Sequence, residues 1–172
     1  KGRKVGLVLR NSLQGQHYSF DAPVGHVDIS IVWPKDPNAS YEVMPGDGSA
    51  MNNTSISMFI NIAGLTFFTA GDVEPPAQEA ILASGMVHHV DVMKVGHHGS
   101  RYQYIPLLDA LSPKIAFISV GAGNSYGHPS PETISELERR RIKVYRTDQS
   151  GAIEIDADQS VHTHRKSAFA LL

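Results

Sequence analysis

Phe67-Phe68-Thr69-Ala70-Gly71-Asp72 and, one helix and one strand later, Val95-Gly96-His97-His98-Gly99-Ser100 decide how this chain is read. Each is an apolar run that halts at a glycine and then presents an ionisable side chain, which is how a sheet delivers polar groups to one edge. Two strands ended in this way aim Asp72 and the His97/His98 pair at a common point. A carboxylate beside neutral imidazoles suits Zn²⁺ or Mn²⁺ and leaves coordination positions open for chemistry.

Upstream of Asp72, Leu65 to Thr69 is expected to fold back on Ser55 to Ala63 as a hairpin around Ala63-Gly64. The alternating run Val27 to Trp33 reads as a further strand ended by Pro34, and Lys4 to Arg10 as another, with a polar connection between them. The Asp-, Asn-, Pro- and Gly-rich stretch from Lys35 to Asn53 reads as a long loop walling a site. Downstream, Pro75 and Pro76 open a helix that Gly85 stops, since the first N–H groups of a helix have no partner to lose. Val90 to Val95 is then a short strand, Ile105 to Leu111 a helix, and Ile115 to Val120 a strand buried on both faces. Ser130 caps a helix that begins at Pro131, and Val144 to Arg146 and Ala152 to Ile155 are the last strands. The tail from Asp156, with His162 and His164, is expected to fray. Strands alternating with helices after a strand-rich start give an α/β layered architecture. In such a sheet the loops carrying Asp72, His97/His98 and Asn124 to His128 leave along one edge.

The 172 residues suffice for one core. With 15 Lys+Arg against 17 Asp+Glu, no global field attracts polyanions, so any nucleic-acid contact is local. The absence of cysteine excludes disulfides and thiolate metal sites. No apolar run reaches the roughly 20 residues of a membrane span. Opening on Lys1, the chain reads as a soluble piece of something longer.

Six short motifs occur in order: Asn53-x-Ser55, Thr69-Ala-Gly-Asp72, Lys94-Val-Gly-His-His-Gly-Ser100, Ser119-Val-Gly, Asn124-x-Tyr-Gly-His-Pro129, and Arg146-Thr-Asp148 with Gly151-Ala-Ile. Together they resemble the metallo-β-lactamase-type domain at the C-terminus of the bacterial competence protein ComEC, over roughly Val27 to Ile155. The resemblance implies an αββα sandwich, of which residues 1–155 are the C-terminal portion and 156–172 a tail. It implies a metal-dependent phosphodiester hydrolase with one or two Zn or Mn ions, Asp72 bridging them and His97 ligating the second. His98, Ser100, Asn124 and His128 then surround the substrate phosphate, with His128 as proton donor. It further implies transforming DNA as substrate, a membrane channel in the rest of the parent protein, and this domain on the extracytoplasmic side of the cell membrane. The superfamily's His-x-His-x-Asp-His motif is missing from the sequence. Its place would precede the Lys4 strand, so the chain is expected to start after it, with an incomplete site and little activity of its own.

The same residues admit plainer roles. Asp72 reads also as a turn or cap residue before the Pro75 helix, His98 as a loop anchor through a backbone hydrogen bond, and His128 as a residue shaping the turn before Pro129. Asn53 and Ser55 read as hairpin-entry residues, and Arg139 to Arg141 with Lys143 and Arg146 as a solvated face at a helix end, the alternative being a grip on DNA phosphates. Two further functions stay open: a stand-alone hydrolase of a small ester or phosphoester on the same fold, and a metal-free structural or DNA-guiding domain.

Overall fold

A computed structural model describes residues 12–36, 38–39, 41–42, 44–45 and 50–164. Among them seven strands form one mixed sheet in sequence order: β1 (His17–Ala22), β2 (Gly25–Trp33), β3 (Ser57–Ile62), β4 (Leu65–Thr69), β5 (Val92–Lys94), β6 (Ile115–Ile118) and β7 (Lys143–Arg146). The first four are an antiparallel meander, and from β4 onward each pairing is parallel. Parallel neighbours need crossovers, and these are α1 (Pro75–Ala83), α2 (Ile105–Leu111) and α3 (Pro131–Arg139). The chain is therefore mixed α/β.

Strand alternation sorts the side chains onto two faces. On one, Phe59, Phe68, Met93 and Ala116 lie in register across the sheet and join Ile81, Leu107, Leu111 and Leu137 from the helices in the main core. Phe68 is fully buried, as is each of those four helix residues to within 1%; burying one such side chain contributes about 1.5–3 kcal/mol. On the other face the row Tyr18, Ile29, Ile60, Phe67, Val92 and Ile115 crosses the sheet. There Leu65, Val92 and Ile115 form a smaller cluster, covered by Ile155 and Val161 of the hairpin β8 (Ala152–Ile155) and β9 (Val161–His164). Tyr18 and Phe20, at the far end of this face, stay exposed.

The hairpin around Ala63-Gly64 forms with both residues in the left-handed region, φ 50° and 86°. Ser130 caps α3, its hydroxyl accepting a hydrogen bond from the Thr133 amide at 3.1 Å. Two expectations are corrected. His17–Ala22, expected as a polar connection, is a strand at the edge of the sheet among the described residues: β2 supplies its backbone partners, so its side chains can be exposed and polar. The tail expected to fray after Asp156 turns back and pairs as β9 up to His164. The strand expected at Lys4 to Arg10 lies outside the described residues.

Candidate functional site

Because β4, β5 and β6 run parallel, the loops that follow them leave along one edge, and backbone contacts lock them together. Gly71 O accepts hydrogen bonds from the His97 amide and from Lys94 Nζ, both at 3.1 Å. Gly99 O accepts one from the Ser130 amide at 2.8 Å. Both glycines have positive φ (60° and 80°), and neither has room for a Cβ: one at Gly71 would lie 2.7 Å from Ser55 Cβ, one at Gly99 2.6 Å from Pro129 Cβ. Glycine is thus required in each of these loops for two reasons, conformation and close approach.

Between these stitches His97 (φ 44°, ψ 50°) and His98 (φ 53°, ψ 22°) both occupy the left-handed region, inside the tight turn Gly96–Gly99. For residues with a Cβ this costs of order 1–3 kcal/mol each, and it persists only where the surroundings impose it. The turn aims the two rings differently. His98 Nδ1 lies 2.6 Å from Ser119 O, and since a carbonyl only accepts, Nδ1 carries the proton. Its other ring nitrogen, Nε2, is turned to Asp72 Oδ1, 3.7 Å away. The ring of His97 stands edge-on to His128, with centroids 5.3 Å apart, and its Nδ1 points inward to Glu74 Oε1 at 3.6 Å.

The third loop builds itself. Asn124 Oδ1 accepts from the Tyr126 amide at 2.7 Å and its Nδ2 donates to His128 O at 2.9 Å, ahead of a cis His128-Pro129 bond. His98, Asn124, Tyr126 and His128 line a cleft of about 380 Å³, and His128 and Tyr126 with Arg101 border a second of about 280 Å³. Tyr126 is 83% exposed at the boundary between them.

The structure therefore brings His97, His98, Asn124 and His128 to one edge with Asp72. Ser100 departs from its expected place at the substrate: it is fully buried, its hydroxyl accepts from the Tyr102 amide, and its carbonyl accepts from Thr133 Oγ1 at 2.7 Å, so it holds the loop from behind. Asn53 is likewise buried, its Oδ1 accepting from the Glu74 amide at 2.8 Å, which is a scaffold role. Three of the five basic residues from Arg139 to Arg146 are engaged within the protein: Arg140 pairs with Asp109 and Glu136, Arg139 with Glu136, and Arg146 with Asp148.

Lys94 and Glu74 belong to the centre as well, though the motifs singled out neither as a site residue. The Lys94 ammonium lies 3.8 Å from Asp72 Oδ1; burial pushes its pKa below the usual lysine value, and the Asp72 carboxylate partly restores it. Glu74 is completely buried, two residues beyond Asp72. The available signal was the pair of carboxylates in Gly-Asp-x-Glu, one exposed enough to act and one able to brace.

These donors suit a divalent cation in part. Two ligands of one tetrahedral Zn²⁺, each about 2.0–2.1 Å from it, lie about 3.4 Å apart. The 3.7 Å gap between the His98 lone pair and a carboxylate oxygen is close to that. Without a proton or cation between them these atoms repel. Among the described residues no three His, Cys, Asp or Glu side chains converge tightly enough to hold an ion by themselves.

Fold and site together define a mixed α/β protein with an imidazole–carboxylate centre at the carboxyl edge of its parallel strands. The chain matches no family model. It is 35% identical over 109 residues to the ComE operon protein 3 of Bacillus subtilis, covering 63% of this chain and 14% of that protein. It is 30% identical over 105 residues to the competence protein ComA of Neisseria gonorrhoeae, covering 60% and 15% respectively. To the recombination protein 2 of Haemophilus influenzae it is 28% identical over 108 residues, covering 62% and 14%. The chain thus spans about one seventh of the length of these relatives. Among the described residues no helix is long and apolar enough to cross a membrane.

Proposed function

We propose that this chain is part of a metal-dependent phosphodiester hydrolase of the metallo-β-lactamase type, acting on DNA in a competence system. The relatives named for competence and recombination support the DNA context. The observation that carries the hydrolytic reading is His98, tied through Nδ1 to Ser119 O so that its lone pair faces Asp72. In this reading Asp72, His97 and His98 are ligands, and the remaining ones come from a segment bearing His-x-His-x-Asp-His. A second sheet, completing the αββα sandwich, would cover the row from Tyr18 to Phe67. When bound, a divalent ion lowers the pKa of water and offsets the charge of a phosphodiester. The chain's own residues do the rest. Asn124 fixes the loop that carries His128, and in this reading the His128 imidazole, which borders both clefts, gives a proton to a leaving oxygen.

Zn²⁺ or Mn²⁺ titrated into the 172-residue chain should shift the ring resonances of His97 and His98, weakly because the donors are few, and Asp72→Ala should abolish the response. No response in the unmodified chain overturns the metal reading. In a longer protein that also carries the missing motif, Asp72→Ala should remove DNA cleavage; cleavage at the unmodified rate overturns the assignment of Asp72.

One observation favours a metal-free domain: the Lys94 ammonium already sits beside Asp72. If it serves as the resident cation, Lys94→Met destabilises the chain and gains no metal affinity. If it competes with a metal, Lys94→Met tightens binding.

A further inference from the structure

The site contains a buried carboxyl group for which the proposed hydrolysis has no direct use. Glu74 is 0% exposed. Its Oε1 accepts a hydrogen bond from Asn52 Nδ2 at 2.9 Å, and Oε2 lies 3.4 Å from the Met44 amide. Its own amide is held by Asn53 Oδ1, whose side chain is tied in turn to Glu42 O at 3.1 Å, and Asn53 O accepts from Trp33 Nε1 at 2.7 Å. The carboxyl group is thus fixed from several directions by residues remote in sequence. Opposite it stands His97 Nδ1, a buried ring nitrogen with no hydrogen-bond partner, 3.6 Å from Oε1.

A buried polar nitrogen without a partner costs about 1–3 kcal/mol, so its persistence beside an acceptor calls for a role. We infer that Glu74 is a positioning residue: it holds the Nδ1–H tautomer of His97 and so leaves the Nε2 lone pair available to a metal. A shift of about 0.6–0.7 Å brings Nδ1 to an ordinary N–H···O distance from Oε1. The exposure left to the His97 side chain, 12%, lies away from Nδ1, and the ring meets His128 edge-on. His98 follows the same plan with a different acceptor, the Ser119 carbonyl. Both imidazoles then turn protonated nitrogens into the protein and bare ones outward, the arrangement that raises ligand basicity and fixes ring orientation.

This role rests on the metal reading above, yet its primary test needs no metal. Long-range ¹H–¹⁵N correlation on the metal-free 172-residue chain at pH 8 reports the tautomer of each histidine. His97 should be found predominantly as the Nδ1–H form. In Glu74→Gln that preference should weaken, and in a Zn²⁺ titration followed at the His97 ring the apparent Kd should rise about tenfold. Ser119 O still anchors His98, whose tautomer should stay unchanged. A proton on Nε2 of His97 in the unmodified chain overturns the assignment, as does a Glu74→Gln variant with the same tautomer and affinity. If Glu74→Gln fails to fold, the tautomer of the unmodified chain decides by itself. Absence of zinc binding with the tautomer as expected removes the metal reading and leaves the Glu74–His97 contact standing.

Discussion

Two regions combine histidines with aspartates, and their difference shows what separates a geometry imposed by the fold from a solvated ladder of side chains. On the β1–β2 hairpin, Asp28 Oδ1 lies 3.4 Å from His17 Nε2 and Oδ2 3.5 Å from His26 Nε2, while His26 Nδ1 pairs with Asp21 at 2.8 Å and His17 Nδ1 with Ser30 Oγ at 3.1 Å. Every one of these ring nitrogens has a partner, and His17 and His26 are more than half exposed in their side chains. At the carboxyl edge of β4 to β6 the inventory is similar and the circumstances are opposite. The backbone is held in left-handed conformations, one ring nitrogen is buried without a hydrogen bond, and another faces a carboxylate. At the carboxyl edge the fold imposes the geometry, and the hairpin imposes none beyond its register.

The largest effect that would break this contrast is at Gly99. Gly99→Ala should destabilise the chain by about 2–4 kcal/mol in urea unfolding, because the new methyl meets Pro129 in a positive-φ position. Gly15→Ala, near the hairpin and also at positive φ but with open space around it, should lose only about 1 kcal/mol. Equal losses would mean that the loops are not braced as described.

Next comes a carboxylate that is structural in full. Asp91 accepts from Lys114 Nζ at 2.8 Å, from Gln159 Nε2 at 3.0 Å, and from the amide and hydroxyl of Thr66 at 3.1 and 2.9 Å. The Lys114 hydrogen bond leads in holding its pKa below the usual carboxylate value, with those from Thr66 adding to it against the effect of burial. Its stabilisation is therefore present above the ordinary carboxylate pKa and lost as pH falls through the lowered folded value. Asp91→Ala should cost about 2–3 kcal/mol at pH 7, and the gap to the unmodified chain should close in strong acid. Asp72→Ala, by contrast, should change stability by less than about 1 kcal/mol, since its contacts to Lys94 and His98 are partly solvated, while removing the response to Zn²⁺.

The smallest effect belongs to the hairpin. The hydrogen bond to Asp21 raises the His26 pKa, so that pairing helps below the imidazole's ordinary value and fades as pH rises through the raised one. His26→Ala should lower the melting temperature slightly at pH 5.5 and leave it unchanged at pH 8.5. A marked loss at pH 8.5 would show that the ladder does more than share protons.

Much of this was legible in sequence where local chemistry decides. The Ala63-Gly64 hairpin, the Ile105–Leu111 helix and the Ser130 cap with Pro131 follow from turn and capping residues alone. Strand β1 was not legible, because His-Tyr-Ser-Phe-Asp-Ala is exposed on an edge and owes its form to pairing with β2. Strand β9 escaped for the same reason, its partner β8 and the sheet face beneath supplying what the sequence lacks. At the site, glycines followed by ionisable residues marked Asp72 and the histidines. Which imidazole turns toward which carboxyl was beyond reach, since that depends on the left-handed turn at Gly96–Gly99 and on Asn52 and Asn53, about twenty residues before Glu74, which hold it in place.

The φ angles of 44° and 53° at His97 and His98 carry a lesson for anyone redesigning this protein. Glycine would relax both positions, and a search for heat resistance would favour it there; each such gain deletes an imidazole. On the proposed metal reading, durability and chemistry compete for the same two residues, and a turn kept for its imidazoles is less robust than the chain could make it.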